Sequence, residues 1–339
     1  MDANELKATA KAMIAQGKGI LAADESFGTA NKRFQKLGIP TTEEMRRAYR
    51  EMLFTAPGIN QFFSGVILFD ETIRQSTKSG IPFPQLLTDA GILPGIKLDE
   101  GAKPLAKSPH ELVTEGLDGL RDRISEYYKL GARFAKWRAV ITIGSEIPSR
   151  RCIEANAHAL ARYAALCQEG GLVPIVEPEV LMDGDHTLEH SFEVHQEVLN
   201  AVFDQLYRAG IELDQMILKP SMAISGIDCA EQADVEAVAR ATVKCLLDAV
   251  PASVPGCAFL SGGQGDATAT AHLNAMNQLF AGQLPWALTF SYGRALQQAA
   301  MQTWMGEDAN VPAAQKALYH RAQCNSAAAL GKYDSSMDR

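Results

Sequence analysis

Eight short apolar runs, separated by stretches long enough for helices, constrain this chain more than any other feature of its sequence. They fall at 19–24, 63–70, 95–99, 132–141, 172–180, 215–220, 256–262 and 286–292. Most are rich in Val, Ile, Leu or Phe, which is how a strand buried on both faces reads. Several of the gaps are amphipathic. Thr42-Glu43-Glu44-Met45 opens one helix with a capping hydroxyl and early acids. Residues 153–169, 187–209, 229–249 and 266–281 give others, some closing at a glycine such as Gly210 or Gly282. Strands alternating mostly with helices in this way predict an α/β chain folded as a (βα)8 TIM barrel, a single domain over 1–339. A doubly wound open sheet is the rival. It would usually carry a G-x-G-x-x-G first turn, and Asp24-Glu25-Ser26-Phe27-Gly28 is no such turn.

Composition narrows the class. With 339 residues, 47% of them hydrophobic and 21% charged, the chain can bury a large core and fits neither disordered nor collagen-like usage. A net charge of −8 argues against nucleic acid or an anionic membrane as main partner, while leaving room for a local basic pocket. Met1-Asp2-Ala3-Asn4-Glu5 does not begin a signal peptide, and no window reaches the roughly 18 consecutive apolar residues of a membrane span. The six cysteines, Cys152, Cys167, Cys229, Cys245, Cys257 and Cys324, form no C-x-x-C pair and read as thiols of a reducing compartment. A cytoplasmic protein is expected.

Charged groups in apolar strands are expensive unless they have work to do. Here they gather at the downstream strand ends: Asp24, Asp70, Lys97, Lys136 with Arg138, Glu177 with Glu179, Lys219, and the polar Ser261. In a barrel those ends form one rim, where active sites sit. Side chains alternate along a strand, so Lys136 and Arg138 share a face, as do Glu177 and Glu179. Structural ion pairs closing the barrel mouth are the plainer alternative.

Lys219 follows Met216-Ile217-Leu218 and precedes Pro220, so it ends a buried strand. An ordinary lysine is almost wholly protonated at neutral pH and a poor nucleophile, but burial and a neighbouring cation favour the free amine. Lys136 would push that way and Glu177 and Glu179 the other; distances decide between them. A neutral lysine in a polar cavity suggests imine chemistry, with Glu177 and Asp24 as proton carriers of suitable type. Ser261-Gly262-Gly263-Gln264-Gly265 and Ser291-Tyr292-Gly293-Arg294 follow the seventh and eighth strands. Glycine-freed N–H groups, a hydroxyl, a helix start and a guanidinium make a phosphate site there. Ser26, Thr29 and Lys97 offer a second anion site, and two such sites flanking one lysine imply a substrate phosphorylated at both ends.

These residues resemble a known family. Gly19-Ile20-Leu21-Ala22-Ala23-Asp24-Glu25-Ser26, Phe134-Ala135-Lys136-Trp137-Arg138, Val173-Pro174-Ile175-Val176-Glu177-Pro178-Glu179, Leu218-Lys219-Pro220, Phe259-Leu260-Ser261-Gly262-Gly263-Gln264 and Phe290-Ser291-Tyr292-Gly293-Arg294 are similar to the motifs of class I, Schiff-base-forming fructose-1,6-bisphosphate aldolases. The resemblance runs in order from about residue 5 to 333. It implies that Lys219 forms the Schiff base, Glu177 is the acid/base for carbinolamine dehydration and Glu179 holds the lysines in place. It further implies that Asp24, with Lys136 nearby, takes the C4-hydroxyl proton. Ser261, Gly262 and Arg294 would hold the C1 phosphate, Ser26, Thr29 and Lys97 the C6 phosphate, and Lys32, Arg33 and Arg138 would line the cleft. The same resemblance implies a metal-independent lyase without cofactor, acting on small sugar phosphates as a homotetramer.

Two departures stand out. The family often carries a long tail ending in tyrosine, whereas here only Asp334-Ser335-Ser336-Met337-Asp338-Arg339 follow Tyr333, a short flexible tail from about 334. Phe27 stands where a small hydroxyl residue is common. Outside this reading, His186-Thr187-Leu188-Glu189-His190 has the H-x-x-E-H spacing of some zinc enzymes, and a surface helix with incidental histidines is the plainer account. A barrel serving only as scaffold would show changes at Lys219, Glu177 or Asp24, and a sedoheptulose-bisphosphate preference is compatible with the same residues.

Overall fold

The computed structural model describes residues 3–338; Met1 and Asp2 of the start, and Arg339 of the tail, lie outside them. Eight strands carry the architecture: β1 Gly19–Ala23, β2 Phe63–Leu68, β3 Leu93–Lys97, β4 Phe134–Ile141, β5 Val173–Val180, β6 Ile217–Leu218, β7 Gly256–Phe259 and β8 Ala287–Tyr292. All pairings are parallel, each strand lies beside its sequence neighbours, and β8 closes onto β1, giving the expected TIM barrel. The eight apolar runs are the eight strands. β6 is shorter than its run because Pro220 has no N–H to give; the last backbone bond to β5 runs from Lys219 N to Val176 O at 2.8 Å.

Helices Arg150–Gly170, Leu188–Arg208, Val235–Ala249 and Asp266–Leu279 occupy the expected gaps. Caps set their starts. Ser149 accepts from Cys152 N, so the first begins ahead of its apolar pattern. Asp234 accepts from Ala237 N, so the third begins later than 229. Thr42 caps Glu43–Phe54 as its sequence predicts. An antiparallel ribbon, Ala102–Pro104 with Leu112–Thr114, lies between β3 and β4 and was not foreseen.

Inside the barrel, Ile20, Ala22, Ile67, Phe134, Val173, Ile175, Ile217 and Ala258 meet Leu6, Ala10 and Met13 of the helix Ala3–Met13. Ser64 fastens that helix by donating to Met13 O at 2.5 Å. Phe134 fills the cross-section so fully that a Cβ on Gly95 would lie 2.2 Å from its ring, and one on Gly65 2.9 Å. Glycine at both positions is a packing requirement.

The segment from 334, expected to be flexible, is folded back as far as it is described. Ser335–Asp338 form a short 3-10 turn. The Asp338 carboxylate accepts from the Tyr333 hydroxyl and pairs with Arg321, a guanidinium only 6% exposed that needs a counter-charge. All six cysteines are unpaired, and no described helix is long and apolar enough to cross a membrane.

Candidate active site

Towards the downstream strand ends the inward side chains change from apolar to charged without a break in the alternation. On β4, Phe134 is followed by Lys136 and Arg138; on β5, Val173 and Ile175 are followed by Glu177 and Glu179. These groups, with Asp24, Ser26, Thr29, Arg33, Lys97, Lys219, Ser261, Gly262, Gly263, Gly293 and Arg294, line one cavity of about 660 Å³. A hollow of about 730 Å³ elsewhere, walled by Ile73, Pro84, Leu130 and three cations, has no carboxylate to move a proton.

Lys219 is 3% exposed, and its Nζ lies 3.1 Å from Glu177 Oε1. Lys136 Nζ lies 2.8 Å from Asp24 Oδ2, 3.5 Å from Glu177 Oε2 and 3.7 Å from Asp99 Oδ2. Glu177 therefore stands between the two lysines, and its buried Oε2 has no hydrogen-bond partner. Burial alone would raise the Asp24 carboxyl, but the ammonium groups of Lys136 and Lys219 override it and hold Asp24 down to about 2. Burial would likewise strip the proton from Lys136, yet Asp24, Glu177 and Asp99 hold it well above the ordinary lysine range. At neutral pH the cluster thus contains a fixed cation at Lys136 and a carboxylate at Asp24, with Lys219 Nζ in contact with Glu177 Oε1.

The two ends of the cavity are built for anions. Gly262 (φ 58°) and Gly263 (φ 104°) turn in the left-handed region that only glycine enters freely, and Gln264 N closes the turn onto Ser261 O at 2.9 Å. Gln264 is held in turn by His272 Nδ1 at 2.6 Å. Arg294 opens the helix Arg294–Trp304 directly beside this loop and has no ion pair among the described residues. Across the rim, Ser26 Oγ and Thr29 Oγ1 lie 3.3 Å apart at the start of the helix Phe27–Lys36. Lys97 is less free: its Nζ is 2.8 Å from Asp99 Oδ1 and donates to Asp99 O at 2.5 Å.

Several expectations need correction. Tyr292 does not line the cavity; it is fully buried on the opposite face of β8, its hydroxyl donating to Ala269 O at 3.1 Å, and Ser291 faces the cavity instead. Lys32 is exposed and stands outside the cavity wall. Asp70 opens a short helix, Asp70–Ile73, and binds Arg74 and the Tyr127 hydroxyl, each at 2.8 Å. Glu179 is bonded to Arg138, not to a lysine. His186, Glu189 and His190 belong to no cluster of metal-ligand atoms; the group of that kind among the described residues is His320, Cys324 and Asp338. Sequence reasoning missed Asp99, 7% exposed, which accepts from Lys97 and from Arg138 N. The Lys97-x-Asp99 spacing matched that of the other pairs and was signal enough. Glu25, clamped by Arg33 at 2.5 Å and Arg50 at 2.7 Å, and the unpartnered buried hydroxyl of Ser291 were also missed.

Known proteins are similar to this chain over nearly its whole length. The model of the glycolytic, class-I fructose-bisphosphate aldolase family matches residues 5–339. The "Probable fructose-bisphosphate aldolase class 1" of Xylella fastidiosa (strain 9a5c) is 60% identical over 334 residues, covering 98% of this chain and 99% of that one. Cytosolic fructose-bisphosphate aldolase 4 of Arabidopsis thaliana is 52% identical, covering 97% and 84%. Among solved structures, fructose-bisphosphate aldolase of Plasmodium falciparum, in complex with TRAP and a small-molecule inhibitor, superposes with a TM-score of 0.96 at 46% identity, covering 98% and 96%. The chain belongs to the class-I fructose-bisphosphate aldolase family.

Proposed function

We propose that Lys219 is the amine through which this chain performs its family's metal-independent reaction, the reversible cleavage of fructose 1,6-bisphosphate to dihydroxyacetone phosphate and glyceraldehyde 3-phosphate. The observation that carries this is a buried lysine with Nζ 3.1 Å from one oxygen of a glutamate whose other oxygen faces Lys136 at 3.5 Å. Lys219 Nζ adds to the C2 carbonyl to give a carbinolamine. Glu177 protonates the departing hydroxyl, water leaves, and a cationic imine remains. Asp24 then takes the proton from the C4 hydroxyl, the C3–C4 bond breaks, and its electron pair enters the imine as an enamine. Lys136, 2.8 Å from Asp24, stabilises that carboxylate and the charge developing beside it.

Ser261, Gly262, Gly263, Gly293 and Arg294 hold the C1 phosphate, and Ser26, Thr29 and Lys97 the C6 phosphate, with Arg33 and Arg138 along the cleft between them. Reduction with borohydride in the presence of dihydroxyacetone phosphate, followed by peptide mass mapping, tests the central assignment. A label on Lys219, abolished in Lys219→Ala with the fold retained, is expected; a label elsewhere, or none, overturns it. A cytoplasmic location, as for relatives named cytosolic, and assembly as a homotetramer complete the proposal, and sedimentation of the purified chain checks the assembly.

A further inference from the structure

Strand β6 ends just where its lysine begins, and the backbone beyond it must be held by something other than the sheet. Val176 lies opposite Leu218, and the bond from Lys219 N to Val176 O is the last of that ladder. Pro178 removes the next donor of that ladder, and Pro220 removes one on the β7 side. On the β7 side, Leu260 N reaches Pro220 O at 3.1 Å. On the β5 side a side chain replaces the ladder: Ser221 Oγ accepts from Val180 N at 3.0 Å.

The remaining partners of Ser221 follow from proton counting. Its hydroxyl has one proton, which goes to His195 Nε2 at 2.8 Å. His195 Nδ1 donates to Ser191 O, one turn back in its own helix, at 2.7 Å, which fixes the tautomer with Nε2 as acceptor. Both side chains are buried, at 6% and 4% exposure, and neither lines the cavity. Burial pulls the imidazole down to about 4, so it stays neutral and able to accept near pH 7.

We propose that the Ser221–His195 pair is a positioning device that sets the distance between Lys219 and Glu177. It ties the backbone two residues beyond the lysine to the strand that carries the glutamate, and anchors both to the helix Leu188–Arg208. Imine formation requires the amine and its acid within hydrogen-bond reach, and a displacement of about 1 Å can cost a rate factor on the order of 100. The inference rests on the role proposed above for Lys219.

The test compares single-turnover borohydride trapping of dihydroxyacetone phosphate in the full-length enzyme and in Ser221→Ala, His195→Leu and His195→Gln. Ser221→Ala and His195→Leu are expected to trap about tenfold more slowly, with KM for fructose 1,6-bisphosphate within about twofold of the parent. His195→Gln, whose amide oxygen can accept where Nε2 did, is expected to recover to within about threefold of the parent. Ser221→Ala removes a single oxygen and settles the matter if His195→Leu fails to fold. Trapping by Ser221→Ala at the parent rate overturns the proposal. So does His195→Gln as slow as His195→Leu, or a rise in KM equal to the fall in kcat. A parent enzyme unlabelled at Lys219 instead overturns the earlier assignment, so the two failures are distinct.

Discussion

A guanidinium at the mouth of a cavity with no carboxylate beside it keeps its donors free for an anionic ligand. In this cavity Lys136 has Asp24, Lys97 has Asp99, Arg138 has Glu179 and Arg33 has Glu25. Arg294 has no carboxylate within ion-pair distance among the described residues, although it stands beside the glycine turn at Gly262 and Gly263. A phosphate there would accept from the guanidinium and the backbone N–H groups together, in both ground and transition state. Arg294→Ala should therefore raise KM for fructose 1,6-bisphosphate by roughly 10- to 100-fold, the equivalent of about 1.5–3 kcal/mol for a charged hydrogen bond, with kcat little changed. Steady-state kinetics decide it, and an unchanged KM would remove Arg294 from the phosphate site. The gathering of charged groups at the strand ends was legible by residue type and spacing. What spacing could not show is that Glu177 lies between Lys136 and Lys219, since that depends on which strands become neighbours.

Among the elements, the strands were the most readable because burial on both faces leaves a continuous apolar run. Their facing was readable too, and Tyr292 shows how it can be lost. Ser291-Tyr292-Gly293-Arg294 looked like one phosphate-binding unit, but strand geometry persists through 292 and turns Ser291 and Tyr292 to opposite faces. The ribbon at Ala102–Pro104 and Leu112–Thr114 is too short to give a periodic signal, and the folded-back tail depends on Arg321, distant in sequence. Two glycines inside strands carried information that propensity alone treats as a defect. Gly95 and Gly65 leave room for Phe134, so Gly95→Ala forces a Cβ into its ring at 2.2 Å and should destabilise by about 1–3 kcal/mol. Replacing the ring in a Gly95→Ala/Phe134→Leu double variant should recover part of that loss. Thermal or urea unfolding measures both, and a double variant no more stable than the single would mean the clash is relieved some other way.

For the molecule as a whole, the polar supports of the site make stability depend on pH in a definite direction. His195 behind β5 and β6, and His272 behind the glycine turn, are each 5% exposed or less and accept or donate as neutral rings. Burial pulls both down to about 4, whereas an unfolded chain binds those protons near 6.5. The unfolded state therefore binds more protons between these values, so stability is full above about 6.5 and is lost as pH falls towards 4. Asp24 does not confuse the window. Its carboxyl is lowered from 3.8 to about 2, so the stability it adds is present above 3.8 and is lost only as pH falls further. Between pH 7 and pH 5 each histidine should weaken the fold by roughly 2 kcal/mol, seen as a lower urea midpoint at pH 5. His272→Asn, which keeps an N–H for Gln264 but cannot titrate, should remove about half of that fall. A urea midpoint indifferent to pH across this range would mean that these rings take up protons in the folded protein as readily as in the unfolded chain. The hydrogen bonds behind both halves of the site would then have to be drawn differently.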